Sequence, residues 1–406
     1  SKIGAVPVNL NPRYVPAEIK YVLEDSDSIA IALESEEADR IIGLRKELPK
    51  LLHYIAWGEK TPREMLNYES LISQYPAIKP DLKWKVTNED FAFLFYTGGT
   101  TGYPKGTVWD GERRVRGLDM ILVSAMEPLI KRLADLPEES YPGLSDVLPI
   151  PAWVIKSGFL RWFLNLPLIY SLNRKVLMSL LGSSISYRIS GGKVRVLPAA
   201  PLFHGAAYEA NLSLLGSGGC TSIYLTSRHP FNPGELWETV ERKKVNTLLI
   251  VGDAFAIPMV EELERKRYDT SSLVTMASSG VTLSSEVKKR FHKRIPQLVI
   301  LDEMGTTEVS AAFSQVTAST DGEIPMLKIK LVNKGPNVCR VINPDTGRDA
   351  MPGERGELVY GGYTALGYWK DPERTERSWR VIDGKRWFFV GDEGTVDEEG
   401  YFNFIG

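Results

Sequence analysis

Cysteine is scarce: the 406 residues hold two, Cys220 and Cys339. Their wide separation excludes a disulfide framework or a thiolate zinc site and fits a reducing, cytoplasmic compartment. Histidine is nearly as rare, and His53, His204, His229 and His292 are scattered without metal-ligand spacing. Neither sign of charge prevails, since 49 Lys and Arg against 51 Asp and Glu leave a net charge of -2. No basic field therefore advertises nucleic acid as a partner. No basic segment followed by an apolar stretch opens the chain, so no signal peptide is read. Internal repeats and low-complexity tracts are missing as well. Trp153 to Leu181 is apolar but is interrupted by Lys156, Arg161, Asn165 and Pro167, which makes it a poor membrane-spanning helix.

What remains is a chain of ordinary globular composition, 43% hydrophobic and 25% charged, long enough for two or three packed units. Short apolar runs bounded by Gly, Pro or Asp predict strands at Phe91 to Tyr96, Val194 to Leu197, Thr247 to Val251, Leu298 to Leu301 and Glu357 to Tyr360. Charged segments of helical period lie between several of them, at Pro233 to Lys243, Ala254 to Arg267 and Ser284 to Arg294. Alternating strand and helix predicts an α/β fold with layered subdomains and mostly parallel sheets over residues 1–330. Beyond about residue 330, turn signals at Asn343 to Gly347, Pro352-Gly353 and Asp397 to Gly400 predict a smaller β-rich, barrel-like subdomain over 331–406. Both ends read as cut within a longer sequence. The stretch from about Glu127 to Ser190 stands apart, with breaks at Pro137, Pro142, Pro149 and Pro151. It reads as a buried helical insertion, or as a lid or interfacial surface flanked by basic residues.

The sharpest local signal is Phe95-Tyr-Thr-Gly-Gly-Thr-Thr-Gly-Tyr-Pro-Lys-Gly106, directly after an apolar strand. Glycines let backbone amides approach a ligand, threonines add hydroxyl donors and Lys105 adds a cation, which together suit a polyphosphate. The usual P-loop spacing is not met, because Gly106 follows Lys105 where that motif needs Ser or Thr. A plain glycine-rich hairpin is the alternative.

This loop resembles the phosphate-binding signature of the adenylate-forming acyl-CoA synthetases, relatives of luciferases and of peptide-synthetase adenylation domains. Four further stretches follow in that family's order. Pro201-Leu-Phe-His-Gly205 resembles its acyl-site segment and Ala277-Ser-Ser-Gly-Val281 its adenine-side loop. Asp302-Glu-Met-Gly-Thr-Thr-Glu308 resembles its Gly-x-Thr-Glu signature, and Val390-Gly-Asp392 with Gly400-Tyr401 its ribose-binding stretch. Val251-Gly-Asp-Ala-Phe255 resembles a subgroup that handles bulky apolar acids, fatty or steroid side-chain acids among them.

The resemblance implies a ligase that activates a hydrophobic carboxylic acid as acyl-AMP and passes it to coenzyme A, using ATP and Mg²⁺. Enzymes that hand the acyl group to a carrier protein or another acceptor, and a non-catalytic nucleotide- or lipid-binding module, are the alternatives. Thr97, Gly98, Gly99, Thr100, Thr101, Gly102 and Lys105 would contact phosphate. Thr307 would also donate to phosphate oxygens, Ser279, Gly280, Asp302, Glu303, Met304 and Gly305 would contact the rest of the nucleotide, and Asp392 both ribose hydroxyls. Glu308 would hold the metal, a hard ion that prefers oxygen ligands. Lys105, Thr307, Glu308 and His204 form the expected catalytic set, with His204 lining the site and Tyr208 and Gly252 as pocket walls. Met304 departs from the aromatic that family members place against adenine. The family's small mobile C-terminal domain, with its catalytic lysine, would lie past Gly406, so no lysine of this chain takes that role and this chain alone is expected to adenylate poorly. Expected partners are the acid, ATP and coenzyme A, with peripheral membrane contact through 153–181 and a homodimer as open options.

Overall fold

A computed structural model describes residues 3–78, 81–82, 84–99, 102–117, 128–129, 132, 135–147, 153–154, 157, 193–216, 220–226, 230–324, 327, 329–331 and 337–405. The stretch expected as an insertion thus lies largely outside the described residues, as do Thr100 and Thr101. The chain divides into two compact units, residues 1–114 with 365–379, and residues 115–364 with 380–406. These cuts differ from the boundary expected near residue 330.

In the first unit, β1 (Ala30–Glu34), β2 (His53–Trp57) and β3 (Leu66–Asn67) form a parallel sheet in that order. Helix α1 (Pro16–Asp25) starts with Pro at its first turn, where no amide donor is missed, and Glu18 accepts from the Val15 amide at 2.9 Å. It buries Ile19, Val22 and Leu23, and Ile19 and Leu23 pack with Ile31, Leu33 and Tyr54. Strands β4 (Phe91–Gly99) and β5 (Gly102–Asp110) pair antiparallel. Residues 365–379 belong to this unit because the short strand Gly367–Tyr368 pairs with Val108 and Thr107 of β5. A cavity of about 1160 Å³ lies among Ile19, Ile31, Leu33, Phe93, Leu94 and Trp369. None of the expected site residues lines it, so its size does not identify the functional site.

The second unit is built on six strands: β6 (Val194–Pro198), β7 (Cys220–Ser222), β8 (Thr247–Ile250), β9 (Thr275–Ser279), β10 (Val299–Thr306) and β11 (Val309–Thr317). Their order is β11-β10-β9-β8-β6-β7, parallel throughout except that β11 folds back antiparallel on β10. Helices α2 (Gly205–Gly216), α3 (Pro233–Lys243), α4 (Gly252–Arg265) and α5 (Ser285–Arg294) connect them. All four residues of β8 are buried, as expected of a strand covered on both faces. Trp237, Met259, Phe291, Leu248 and Ile300 centre the core, and the Trp237 indole N–H donates to the Met259 carbonyl at 2.9 Å. Helix α3 is bounded locally. Asn232 accepts from the Glu235 amide at 3.2 Å, and Lys244 ends the helix in a left-handed conformation.

A second, antiparallel sheet in this unit contains β12 (Ile329–Lys330), β13 (Asn337–Ile342), β14 (Arg355–Gly362), β15 (Lys385–Val396) and β16 (Tyr401–Phe404), ordered β12-β16-β15-β14-β13. This antiparallel sheet occupies the stretch past residue 330 expected to be β-rich, although antiparallel pairing already occurs earlier, in β4–β5 and β10–β11.

Candidate functional site

In an open parallel sheet, ligands gather beyond the carboxyl ends of the strands, where loops and helix starts converge. In the second unit that edge carries the flagged residues of four motifs, while the glycine-rich loop lies in the first unit and Asp392 in the antiparallel sheet. His204 and α2 follow β6, Gly252 follows β8, Ser279 and Gly280 end β9, and Met304 to Glu308 end β10. The order β10-β9-β8-β6 makes these four ends neighbours.

Glycine is required at two of the junctions. Gly280 has φ +86°, and a Cβ there would lie 3.2 Å from His204 Cε1, so its absence lets the imidazole approach the β9 loop. Gly252 has φ +51°, and a Cβ would lie 2.7 Å from the carbonyl oxygens of Val281 and Thr282. Its amide donates to Ser278 Oγ at 3.0 Å, and Asp253 Oδ1 accepts from the Ser284 amide at 2.9 Å. The start of α4 thus clamps the 278–284 loop. His204 remains solvent-exposed on one side. Desolvation by the surrounding protein still lowers its pKa from the ordinary imidazole value, which favours the neutral ring.

Strand β10 ends in a tight hairpin. Met304 pairs with Phe313 and Thr306 with Val309, with a register shift between them, so Thr307 and Glu308 form the turn. Thr307 Oγ1 donates to Glu308 Oε2 at 3.1 Å, and Glu308 is only 8% exposed. The buried Thr306 hydroxyl has no hydrogen-bond partner among the described residues, and sequence reading had not singled it out. Asp302 and Glu303 are buried earlier in the same strand. The Asp302 carboxylate forms an ion pair with Lys288 of α5, whose side chain is fully buried. Burial raises the Asp302 pKa and the Lys288 ammonium opposes that rise. Glu303 is pushed up to about 8 by burial and then by the charge of Asp302. Lys288 was also missed from sequence. Its signal was its place on the apolar stripe of α5, three residues before Phe291 and seven before Ile295.

Asp392 lies in a bulge. Glu357 pairs with Glu393 and Val359 with Phe389, which leaves Val390, Gly391 and Asp392 opposite Leu358 alone. Gly391 takes φ +91° and its amide donates to Glu357 Oε1 at 3.1 Å. Such bulges re-aim a side chain out of the ladder. Burial raises the Asp392 pKa.

In the first unit, the glycine-rich loop is the tip of the β4–β5 hairpin, with Thr97 opposite Lys105 and Gly99 opposite Gly102. Gly102 has φ +148°, and Lys105 Nζ stands 5.1 Å from the Tyr368 ring centroid. The base of the hairpin is pinned. Tyr96 donates its amide to Asn9 Oδ1 at 2.6 Å and accepts from Asn9 Nδ2 at 2.9 Å, while its hydroxyl donates to the Asp25 carboxylate. A Cβ at Gly106 would lie 2.9 Å from the Tyr96 ring.

Among the described residues, no group of three or more His, Cys, Asp or Glu side chains could hold a metal ion alone. A single oriented carboxylate such as Glu308 instead suits Mg²⁺ that shares its remaining ligands with nucleotide phosphates and water. Both cysteines are free. No described helix is long and apolar enough to cross a membrane.

A family model described as AMP-binding enzyme matches residues 1–124 and 172–369. The unmatched residues 125–171 fall almost wholly within the stretch expected as an addition. The chain is 29% identical over 422 residues to a medium/long-chain-fatty-acid–CoA/3-oxocholest-4-en-26-oate–CoA ligase of Mycolicibacterium smegmatis, covering 100% of this chain and 65% of that protein. It is 26% identical over 423 residues to a 3-oxocholest-4-en-26-oate–CoA ligase of Rhodococcus rhodochrous, covering 100% of this chain and 64% of that one. The chain thus spans just under two thirds of both relatives. Among solved structures, an anthranilate CoA ligase in complex with anthranoyl-AMP superposes with a TM-score of 0.70 at 21% identity, over 99% of this chain and 63% of the other.

Proposed function

The chain belongs to the AMP-binding enzyme family, and from that premise we propose that it is an ATP-dependent acid-CoA ligase acting on hydrophobic carboxylic acids. The observation that carries the reading is the gathering of His204, Gly252, Ser279, Gly280 and the Met304 to Glu308 hairpin at the carboxyl ends of neighbouring strands. The names of the relatives supply the substrate class, fatty and steroid side-chain acids.

In this reading the acid's carboxylate oxygen attacks the α-phosphorus of ATP and the bond to the bridging oxygen breaks, releasing pyrophosphate. The thiol sulfur of coenzyme A then attacks the acyl carbonyl, and AMP leaves. Two anions must meet, so the protein's task is orientation and compensating charge. Thr97, Gly98, Gly99, Gly102 and Lys105 cradle phosphates, with Thr100 and Thr101 assigned there from sequence. Thr307 donates to phosphate oxygen, and Glu308 holds Mg²⁺, which supplies charge neutralisation when bound. Asp392 accepts from the ribose hydroxyls. Because the Asp302 carboxylate is engaged by Lys288, we assign residues 302–304 to the nucleotide through their backbone. Neutral His204 borders the acid without adding a charge that would trap it. Peripheral membrane contact through 153–181 and a homodimer belong to the same reading, tested by co-sedimentation with anionic liposomes and by light scattering.

The direct test, made on protein that includes the expected lysine-bearing domain, is acid-dependent exchange of pyrophosphate into ATP without coenzyme A, followed by AMP release once coenzyme A is added. AMP release that ignores coenzyme A would assign the acyl group to another acceptor, and absence of nucleotide binding would leave a different function altogether.

A further inference from the structure

A fully buried lysine is costly. Lys288 has none of its side-chain surface exposed, and its partner Asp302 has 5%. Replacing a buried ion pair by apolar groups of similar volume often leaves a protein as stable or more so. Stability is therefore a poor reason for its presence, and its location suggests a better one.

Strand β10 is held from both sides only as far as Glu303. Its parallel register with β9 ends at Glu303 opposite Ser279, and beyond that point only β11 pairs with it, across the register shift between Met304 and Thr306. The segment from Met304 to Glu308 is thus a hairpin end whose position the ladder alone defines weakly. Just before this end, the Asp302 side chain reaches helix α5 through its ion pair with Lys288. Helix α5, which carries Lys288, is itself anchored at its start, where the Ser284 amide donates to Asp253 of α4. The Lys288–Asp302 pair connects that fixed scaffold to the strand two residues before Met304.

We infer that Lys288 is a positioning residue: acting through Asp302, it sets the height and register of β10 so that Thr307 and Glu308 meet the phosphates and metal of the nucleotide. The inference rests on the proposed nucleotide function, and it assigns to α5 a part in a reaction it does not touch. A charged pair suits the purpose because it is directional. Apolar packing would permit sliding along the strand, whereas the ammonium fixes one carboxylate at one place.

The test is calorimetric titration of ATP with Mg²⁺, ATP with EDTA, and AMP into the protein and its Lys288→Met and Asp302→Asn variants, with folding checked by circular dichroism. Wild-type protein should gain ATP affinity from Mg²⁺. Lys288→Met should weaken Mg²⁺-ATP by about tenfold or more and lose the Mg²⁺ gain, while AMP affinity stays within about twofold. Asp302→Asn, which keeps the shape and an acceptor, should fall between the two. Equal losses for AMP and Mg²⁺-ATP, or no loss, in folded Lys288→Met would overturn the inference. Should that variant not fold, the same two ratios in Asp302→Asn decide. Wild-type protein that binds neither nucleotide would overturn the proposed function, and this inference with it.

Discussion

Glu303 holds a proton at neutral pH, which gives the site region a pH signature of its own. Its pKa of about 8 in the fold compares with an ordinary value of 4.5. Between those values the folded state binds a proton that the unfolded chain releases, so stability falls as pH rises through that window. At about 1.4 kcal/mol per pKa unit, the full loss is of the order of 5 kcal/mol. Glu303→Gln should therefore melt above the wild type, with a gap that widens from pH 5 to pH 8 and is constant beyond. A gap independent of pH would show that Glu303 titrates normally. His292 acts at the other end of the scale. It is 5% exposed, neither ring nitrogen has a hydrogen-bond partner among the described residues, and desolvation lowers its pKa from 6.5 to about 4. The unfolded chain then binds the extra proton, so stability is lost as pH falls from 6.5 toward 4. His292→Leu should flatten that acid limb in melts across the same range.

The two acidic residues assigned to ligand contact should separate by nucleotide. Asp392→Ala removes the proposed ribose contact common to AMP and ATP, so calorimetry should show both weakened alike. Glu308→Gln removes the proposed metal contact, which only the polyphosphate would use, so AMP binding should be nearly unchanged while Mg²⁺-ATP binding drops. Equal loss of AMP affinity in both variants would contradict these roles.

At the scale of elements, the junction between β8, α4 and the 278–284 loop depends on one missing Cβ. Gly252→Ala meets two carbonyl oxygens at 2.7 Å in a backbone conformation that L side chains rarely adopt. It should cost about 1–3 kcal/mol of stability, read as a lowered melting temperature, whereas Gly353→Ala, with φ +81° but open space, should cost less. Equal costs would show that the close approach is relieved by loop movement. The elements themselves were largely legible in the sequence. Thr247 to Ile250 is an apolar run between turn signals, and Pro233 to Lys243 carries its own start and stop residues. The β1–β2–β3 sheet of the first unit is not among the strands expected from sequence, although Ile29 to Leu33 is an unbroken apolar run at least as long as several that are. The carboxyl-edge residues were legible through the resemblance of their motifs to those of the adenylate-forming family. Lys288, Thr306 and the buried state of Glu303 were not, since each depends on a neighbour remote in sequence or across a sheet.

For the whole molecule, the account makes a hydrophobic acid the substrate of an adenylating site. Its support is the sheet-edge constellation and relatives whose names specify fatty and steroid acids. If the acid's apolar body is buried on binding, each methylene contributes about 0.8 kcal/mol, or roughly fourfold in kcat/KM, until the pocket is filled. The most direct measurement is therefore the yield of acyl-CoA and AMP from ATP, Mg²⁺ and coenzyme A across straight-chain acids of increasing length. The account predicts equimolar acyl-CoA and AMP, with kcat/KM climbing from negligible for acetate to a plateau at long chains. ADP in place of AMP, or acetate as the best acid, would contradict it.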